Sequence, residues 1–319
     1  MNNDKTNLHK EIVEIIAPVY NEEKLINGFF DKVKSILDKV DIEWCITFIN
    51  DGSTDETREK LDTLADLYSE VKAVHLSRNF GKEAALTAAF DLSSADAVIP
   101  MDVDLQDPPE ILPKMINAWR DGSEIVTAVR KSRKDENLLR TFATNIFYKV
   151  FSRLAGFDVI KNAGDFRLFD KRIVSVIKNI REKRRFMKGI FSWIGFNNKI
   201  IYFDRPLRVD GSSKWGFLKL AGYAFSGLTD FSPFPLRVST IMGVSISLLS
   251  LIYGVIIIIK TVIYGIDLPG YPSLMVAILF LGGVQLLFMG IIGEYLSKIQ
   301  DEVKNRPIYI VDSISKKTN

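Results

Sequence analysis

The sequence predicts an α/β fold, a mostly parallel sheet with flanking helices, followed by a two-helix transmembrane hairpin. Two observations carry this prediction. Over residues 12–130, short apolar runs alternate with amphipathic stretches, the pattern of right-handed βαβ units. Further along, residues 238–259 and 268–293 contain no charged residue. Each of these stretches exceeds the roughly 20 residues that a helix needs to cross a bilayer.

The apolar runs predict five buried strands, and helical patterns lie between them. The strands are expected at 12–17, 44–49, 73–76, 97–101 and 125–128, and the helices at 22–37, 55–67, 82–92 and 109–119. Ligands of parallel sheets bind outside the carboxyl ends of the strands. The polar residues that follow each strand are therefore the candidate site.

Composition excludes several classes of protein. The chain has 319 residues, 47% of them hydrophobic, which is too apolar for a disordered protein. Cys45 is the single cysteine, so no internal disulfide can form, and two histidines without cysteine partners give no zinc pattern. Residues 1–11 are polar and lack a hydrophobic segment, so we expect no signal peptide and a cytoplasmic N-terminal part.

Four segments are expected along the chain. Residues 1–210 form the α/β domain, 211–235 an interfacial amphipathic segment, 236–296 the two transmembrane helices, and 297–319 a cytoplasmic tail that packs on the α/β domain. Residues 181–219 hold ten Lys/Arg against three acids, interleaved with aromatic residues. Beside two membrane spans, this pattern favours a surface on anionic lipid headgroups over nucleic-acid binding.

Charge flanking the hairpin predicts its orientation. Arg237 precedes the first span and five basic residues follow the second, whereas the turn at 264–272 holds Asp267 and has only Lys260 at its edge. The positive-inside rule places both chain ends in the cytoplasm. Neither span contains an ionisable residue, and only Gln285 is strongly polar, which indicates an anchor and not an ion pathway.

An acidic run ends the fourth predicted strand. If the extended backbone persists, Asp102, Asp104 and Gln106 project from one side, because strand side chains alternate with period two. Two carboxylates and an amide oxygen suit Mg²⁺ or Mn²⁺. The alternative is a solvated strand end with turn-forming acids.

Similar polar segments, at 18–22, 50–55 and 78–83, follow the first three strands. Ser53 and Asp55 could equally be helix caps, and Pro18 a turn residue. Their occurrence at successive strand ends nevertheless favours a ligand site.

Several motifs together make the sequence resemble a known family. Asp-Leu-Gln-Asp-Pro-Pro-Glu stands at 104–110, Gly-Asp-Phe-Arg-Leu at 164–168, and a Gly-Glu-Tyr-Leu to Arg-Pro-Ile-Tyr-Ile-Val stretch at 293–311. These resemble the inverting glycosyltransferases with a nucleotide-sugar-binding GT-A fold. More narrowly, they resemble the polyprenyl-phosphate glycosyltransferases, which include bactoprenol glucosyltransferases and dolichol-phosphate mannose synthases. A Gln-x-x-Arg-Trp signature is absent from the sequence, which argues against a processive polysaccharide synthase.

The resemblance implies a role for each matching residue. Asp165 would be the catalytic carboxylate, and the neighbouring Arg167 and Asp170 would be structural. The donor would be bound by Pro18, Tyr20, Glu22, Asp51, Lys82, Asp102, Arg130 and Arg140. The acceptor phosphate would be bound by Arg208, Ser213 and Lys214, and the metal by Asp102, Asp104 and Gln106. The alternative for the lysine and arginine residues among these is a set of surface charges on solvated helices.

The implied activity is transfer of one hexose from a UDP-sugar to undecaprenyl phosphate, with inversion and with Mg²⁺ or Mn²⁺. Glucose is the first expectation for the sugar and N-acetylglucosamine the second. The family further implies a bacterial cytoplasmic membrane location, surface-polymer modification after a flippase and a second glycosyltransferase, and homo-oligomerisation. The alternatives are a different donor or acceptor, or an inactive membrane-anchored nucleotide-sugar binder.

Overall fold

The structure, a computed structural model, describes residues 10–131, 152–153, 156–157, 160, 163–183, 185–204, 234–265 and 270–317. These residues divide into two compact units. The first takes its residues from 1–149, 157–214 and 306–319, and the second from 150–156 and 215–305.

The first unit contains an eight-stranded sheet in the order β7-β5-β6-β4-β1-β2-β3-β8. The strands are β1 (Ile12–Val19), β2 (Glu43–Asn50), β3 (Val71–Leu76), β4 (Ala97–Pro100), β5 (Ile125–Arg130), β6 (Ala163–Asp170), β7 (Asn198–Phe203) and β8 (Val311–Lys316). The central strands β4, β1, β2 and β3 run parallel, and β6 and β8 pair antiparallel with their neighbours.

Helices cover both faces of this sheet. They are α1 (Ile26–Leu37), α2 (Thr57–Leu67), α3 (Lys82–Leu92), α4 (Leu112–Arg120), α5 (Lys171–Asn179) and α6 (Met187–Trp193), and a short 3₁₀ turn (Pro109–Ile111) precedes α4. The buried apolar residues form two clusters, one containing Phe29 and Phe48 and the other Phe90 and Phe169. Because βαβ crossovers place helices on both faces, the central strands are buried on each side.

Local sequence explains where these elements begin and end. The side-chain Oδ1 of Asp170 accepts a hydrogen bond from the backbone N–H of Arg172 at 2.8 Å and caps α5. Its Oδ2 accepts from the indole N–H of Trp119 at the same distance, which ties α4 to the end of β6. Asp170 is thus a structural residue.

The five strands expected over residues 12–130 are all present, with ends shifted by a few residues. The strands β6, β7 and β8 were not predicted individually. The last of these forms an edge of the sheet, where it pairs with β3.

The second unit contains two long apolar helices, α7 (Phe234–Tyr264) and α8 (Tyr271–Lys304). They have 31 and 34 residues, and both are long and apolar enough to cross a membrane. Side chains such as Leu251, Ile258 and Leu286 are about two-thirds exposed, as expected of surfaces that face lipid. The second helix continues to Lys304, past the 296 boundary expected from the sequence.

Candidate functional site

A polar cleft opens at the carboxyl ends of the parallel strands. Its volume is about 360 Å³. The described residues that line it come from the segments after β1, β2, β3 and β4, namely Pro18, Val19, Tyr20, Glu22, Asp51, Asn79, Gly81, Lys82, Ala85, Asp102 and Asp104. Parallel strands bring these separate segments to one edge, the place where such sheets bind ligands.

One lysine joins two carboxylates at this edge. The ammonium of Lys82, the first residue of α3, donates to Asp102 at 2.7 Å and to Asp165 at 3.0 Å. Because β6 runs antiparallel to β4, its first residues lie beside the last residues of β4, and this brings Asp165 to the cleft edge. The structure therefore brings together three of the residues that the sequence proposed.

The charges around Lys82 keep it protonated. Partial burial lowers the pKa of the ammonium, but the carboxylates of Asp102 and Asp165 outweigh burial and hold the pKa above its ordinary value. The side chain of Asp165 is 17% exposed, against 44% for Lys82 and 45% for Asp102. Asp165 is thus the most shielded of the three groups.

The cleft carries more negative than positive charge. Burial, followed by the nearby carboxylates of Asp102 and Asp104, raises the pKa of Glu22 to about 7. Among the described residues, no group of three or more His, Cys, Asp or Glu side chains has the geometry to hold a metal. Two carboxylates that share an ion with ligand phosphates need no such closed group, so Asp102 and Asp104 fit a divalent cation of that kind.

The expectation that Asp102, Asp104 and Gln106 project from one extended strand is wrong. The strand ends at Pro100, and Leu105 takes a left-handed conformation with φ 54°. Oδ1 of Asp104 accepts from the backbone N–H of Gln106 at 3.0 Å and closes a tight turn. Asp102 and Asp104 line the cleft, whereas Gln106 is not among the described residues that do.

Asp51 organises the loop after β3. Its two carboxylate oxygens accept from the backbone N–H groups of Phe80 at 2.7 Å and Gly81 at 2.8 Å. Burial raises the pKa of this carboxyl, against the two N–H groups, which lower it. The sequence proposed Asp51 as a ligand of the donor base, and the structure adds a role in shaping the cleft wall.

Gly52 allows the loop after β2 to approach the loop after β3 closely. Its φ is 68°, and a Cβ at this position would lie 2.4 Å from the carbonyl carbon of Arg78. Only glycine fits both the left-handed backbone and the approach of the second loop. The loops after β2 and β3 are therefore packed backbone to backbone.

A hydrogen-bond network that the sequence did not reveal joins the loops after β1 and β2. The backbone N–H of Asn21 donates to Oγ of Ser53 at 2.9 Å, and Oδ1 of Asn21 accepts from the backbone N–H of Thr54 at 2.8 Å. Asn21 has φ 54°, a conformation that asparagine tolerates well. Asp55 accepts from the backbone N–H of Thr57, the first residue of α2, at 3.1 Å and from the backbone N–H of Glu23 at 3.4 Å.

The basic residues proposed from the sequence fall into two groups. Arg130, at the end of β5, donates to Asp107 at 3.1 Å, and one of its nitrogens lies 3.7 Å from where a Cβ of Gly164 would stand. It lies near the Asp165 strand but is not among the described residues of the cleft wall. Arg140, Arg208, Ser213 and Lys214 lie outside the described residues, as does most of the segment 211–235.

Arg167 supports the strand that carries Asp165. It is 1% exposed, and its Nε donates to the carbonyl of Gly164 at 3.2 Å. Burial lowers its pKa to about 10, against the attraction of Asp165. Its guanidinium lies 5.4 Å from the ring centre of Phe191. These contacts make Arg167 a structural residue beneath the site.

Comparison with known proteins identifies this arrangement. The model of glycosyl transferase family 2 matches residues 14–177, the segment that supplies Glu22, Asp51, Lys82, Asp102 and Asp165. The chain belongs to glycosyl transferase family 2. A second model, the GtrB C-terminal hairpin, matches residues 234–299, which contain α7 and most of α8.

Relatives within this family match almost end to end. An uncharacterized glycosyltransferase of Synechocystis is 46% identical over 302 residues, 95% of each chain. A prophage-derived bactoprenol glucosyl transferase of Shigella flexneri is 44% identical and covers 94% of this chain and 97% of its own length. A prophage bactoprenol glucosyl transferase homolog of Escherichia coli is 40% identical over 95% and 99% of the two chains. The protein is therefore a family 2 glycosyltransferase.

Solved structures of more distant glycosyltransferases are similar to part of this chain. Mannosyl-3-phosphoglycerate synthase from Rubrobacter xylanophilus is 15% identical with a TM-score of 0.47, and covers 69% of this chain and 73% of its own. A mannosyltransferase of Pyrobaculum calidifontis, solved with GDP-Man and Mn²⁺, is 17% identical with a TM-score of 0.43, and covers 62% and 58% of the two chains.

Proposed function

We propose that this glycosyltransferase moves one glucose from UDP-glucose to undecaprenyl phosphate and inverts the sugar's configuration. The observation that carries the proposal is the pairing of Asp102 and Asp165 through Lys82 at the edge of a cleft of about 360 Å³. The relatives named bactoprenol glucosyl transferases support the choice of sugar and lipid. Two membrane-length helices provide access to a lipid substrate.

The nucleotide of the donor binds against the cleft wall that the loops after β1 and β2 form. Tyr20 is 45% exposed and offers an aromatic face to the uracil ring, with Pro18 beside it in the wall. Asp51 presents its carboxylate oxygens to the base while it retains its two backbone partners. Glu22 lies beside Asp102 and Asp104, and burial together with these two carboxylates raises its pKa to about 7.

Asp102 and Asp104 would hold Mg²⁺ or Mn²⁺ against the donor diphosphate, with Gln106 at the border of the site. When bound, the ion neutralises the departing diphosphate and acts as a Lewis acid. Lys82 adds a second positive charge at the same place, since its pKa remains above the ordinary value. Arg130 and Arg140 are proposed as further phosphate contacts.

The reaction needs no strong base. A phosphate monoester has a second pKa near 6, so its oxygen is already anionic at neutral pH. That oxygen forms a bond to the anomeric carbon from the face opposite UDP, while the bond from this carbon to the diphosphate oxygen breaks and its electron pair leaves with UDP. Asp165 orients the acceptor and fixes Lys82, and Arg208, Ser213 and Lys214 receive the acceptor phosphate.

The two apolar helices are proposed to anchor the enzyme in the bacterial cytoplasmic membrane, with the catalytic unit and both chain ends in the cytoplasm. Basic residues flank both spans on the side of the chain ends, and Asp267 lies in the turn. The segment 211–235 would rest at headgroup depth, and 297–319 would return to the catalytic domain. We further propose a homo-oligomer whose lipid-linked product passes to a flippase and a second glycosyltransferase.

A transfer assay tests this function. The purified protein in detergent is given undecaprenyl phosphate and Mg²⁺ or Mn²⁺, together with labelled UDP-glucose, UDP-N-acetylglucosamine, UDP-galactose or GDP-mannose in separate reactions. Label is expected in the lipid phase with UDP-glucose and is expected to disappear with EDTA. The variant Asp104→Ala should lose transfer about 100-fold or more, because it removes a metal ligand.

Asp66→Ala, which removes an exposed carboxylate on α2, serves as the matched control and should retain full transfer. Label from a different donor would replace glucose in the proposal. The absence of lipid product from every donor, despite measurable UDP binding, would show that the acceptor is wrong or that the protein only binds nucleotide sugars.

A further inference from the structure

A buried histidine stands directly behind the donor side of the cleft. His75, on β3, is 1% exposed and is the register partner of Asn50 on β2. Its Nδ1 lies 3.0 Å from Nδ2 of Asn50, and its Nε2 lies 2.9 Å from Oδ1 of Asp62 on α2. The ring therefore connects the last residue of β2 to the helix that covers this face of the sheet.

The hydrogen bonds around Asn50 fix which nitrogen of the ring carries the proton. Oδ1 of Asn50 accepts from the backbone N–H of Ser53 at 3.0 Å, so the amide NH₂ must face the ring. Nδ1 of His75 is consequently an acceptor, and Nε2–H donates to Asp62. If the ring proton moved to Nδ1, the amide of Asn50 would have to turn over and the bond to Ser53 would break.

The hydrogen bonds from Asp62 through His75 and Asn50 to Ser53 form a chain, called the relay below. The relay ends in a loop at the cleft. Ser53, held by Asn50, accepts the backbone N–H of Asn21, the residue between Tyr20 and Glu22. Asn50 also precedes Asp51, whose carboxylate shapes the opposite loop. A change at His75 would therefore reach Asn21, between the cleft residues Tyr20 and Glu22, through three hydrogen bonds, although His75 itself is not among the described residues of the cleft wall.

We propose that His75 is a positioning residue for the donor nucleotide: it fixes the amide of Asn50 and thereby the loops at Asn21 and Ser53. The inference rests on the proposed UDP-sugar site. A buried polar ring costs free energy unless all its partners are satisfied, and an aliphatic residue would fill the same space in the sheet. The fully partnered ring gives the loop one defined conformation, which an aliphatic residue would not.

The groups around the ring are consistent with this neutral relay. Asp62 is the carboxylate in contact with it. Burial raises the pKa of Asp62, but hydrogen bonds from Ser315 and from His75 itself, together with the positive charges nearby, hold this pKa below its ordinary value. From β8, the register partner of His75 is Ser313, whose hydroxyl accepts from Arg58 at 2.8 Å. An ionised Asp62 favours the tautomer with the proton on Nε2.

Two substitutions of His75 test the hydrogen bonds of its two ring nitrogens separately. His75→Asn places a carbonyl oxygen near the position of Nδ1, so it keeps the acceptor for Asn50 and loses Asp62. His75→Gln reaches the position of Nε2, so it keeps the donor to Asp62 and leaves the buried NH₂ of Asn50 without an acceptor. The two variants lose similar ring volume, which makes each the control for the other.

We expect His75→Gln to raise the KM for UDP-glucose about five- to tenfold, the typical effect of one lost hydrogen bond. For His75→Asn the KM should stay within about twofold of wild type, and kcat and the acceptor KM should be unchanged in both. Equal KM values for the two variants, or a fall in kcat without a change in KM, would overturn the inference. Thermal unfolding should show similar losses of stability for the two.

UDP binding by calorimetry repeats the comparison without turnover. If wild type binds UDP but transfers no glucose, the proposed function fails while the Kd ratio of the two variants still decides the inference. Should a His75 variant fail to fold, Asp62→Ala removes the half-exposed end of the relay instead. It is expected to weaken UDP binding about twofold or more. Without Asp62 the ring, unlike the amide in His75→Asn, can shift its proton to Nδ1 and lose its contact with Asn50. Unchanged UDP binding in Asp62→Ala would overturn the inference.

Discussion

One ammonium group, that of Lys82, joins two carboxylates, one from the segment that follows β4 and one from β6. Each of the three residues could be proposed from its motif in the sequence. Their contact could not be predicted, because Asp102 and Asp165 are adjacent only when β6 inserts antiparallel beside β4. Sequence motifs thus identified the chemical groups, and sheet topology determines which of them meet.

Replacing Asp165 with asparagine tests the proposed catalytic role of its carboxylate. The amide keeps the size of the side chain but loses the charge that faces Lys82 at 3.0 Å. We expect transfer to fall about 100-fold or more, because a charged group oriented toward the reacting atoms is lost. UDP-glucose affinity should remain within about twofold, since the donor groups are intact.

The matched control is Asp96→Asn, which removes a carboxylate at the opposite edge of the sheet, where it pairs with Lys171. This variant should keep wild-type turnover. Single-turnover transfer and UDP-glucose calorimetry measure the two effects separately. If Asp165→Asn retains normal turnover, Asp165 has no part in the mechanism.

At the level of elements, five strands could be predicted because each is a short apolar run between helical patterns. The strands β6 and β8 give a weaker signal. Polar or charged residues interrupt β6 at Asp165 and Arg167, and the alternating pattern of β8 follows a long helix, where no sheet was expected. Burial of Arg167 in the sheet depends on tertiary contacts that periodicity does not contain.

A partly buried glutamate joins two of these elements. Oε2 of Glu83 on α3 accepts from the backbone N–H of Met187, the first residue of α6, at 3.0 Å. Burial, followed by the charge of Asp165, raises the pKa of Glu83 from 4.5 to about 7, against Met187, Lys82 and Lys188. The carboxyl of Glu83 therefore binds its proton more tightly in the folded state than in the unfolded state.

Glu83→Gln should flatten the dependence of stability on pH. Because the pKa is raised on folding, the contribution of Glu83 is greatest below about pH 4.5 and declines as pH rises to about 7, by on the order of 2 kcal/mol. Glutamine imitates the protonated acid and still offers an acceptor to Met187. Thermal unfolding at about pH 5 and about pH 8 should show a smaller difference for the variant than for wild type.

The exposed Glu59→Gln on α2 is the control and should follow the wild-type pH dependence. A Glu83→Gln protein that loses stability between the two pH values as strongly as wild type would contradict the assignment of the raised pKa to Glu83.

At the level of the whole molecule, one chain builds a catalytic unit and an apolar helical unit, and then returns to the first through β8. The apolar unit could be predicted almost completely, since uncharged stretches of that length have few other uses. The acidic turn could not, because the left-handed backbone of Leu105 depends on the bond from Gln106 to Asp104. Regular periodicity can be recognised in a sequence, whereas a single residue with a left-handed backbone conformation, such as Leu105, cannot.

A pair of charge substitutions on α8 tests whether this unit spans a membrane. Leu286 is 71% exposed within the uncharged stretch, and Ile299 is 56% exposed near Lys298 and Asp301. A carboxylate at the centre of a spanning helix costs roughly 2.5–3.5 kcal/mol, and the cost falls toward the ends. Leu286→Asp should therefore reduce the fraction of protein that resists alkaline extraction from membranes. Ile299→Asp, which adds the same charge where the helix has left the hydrocarbon layer, should extract like wild type. Equal extraction of both variants would mean that the middle of α8 does not lie in lipid.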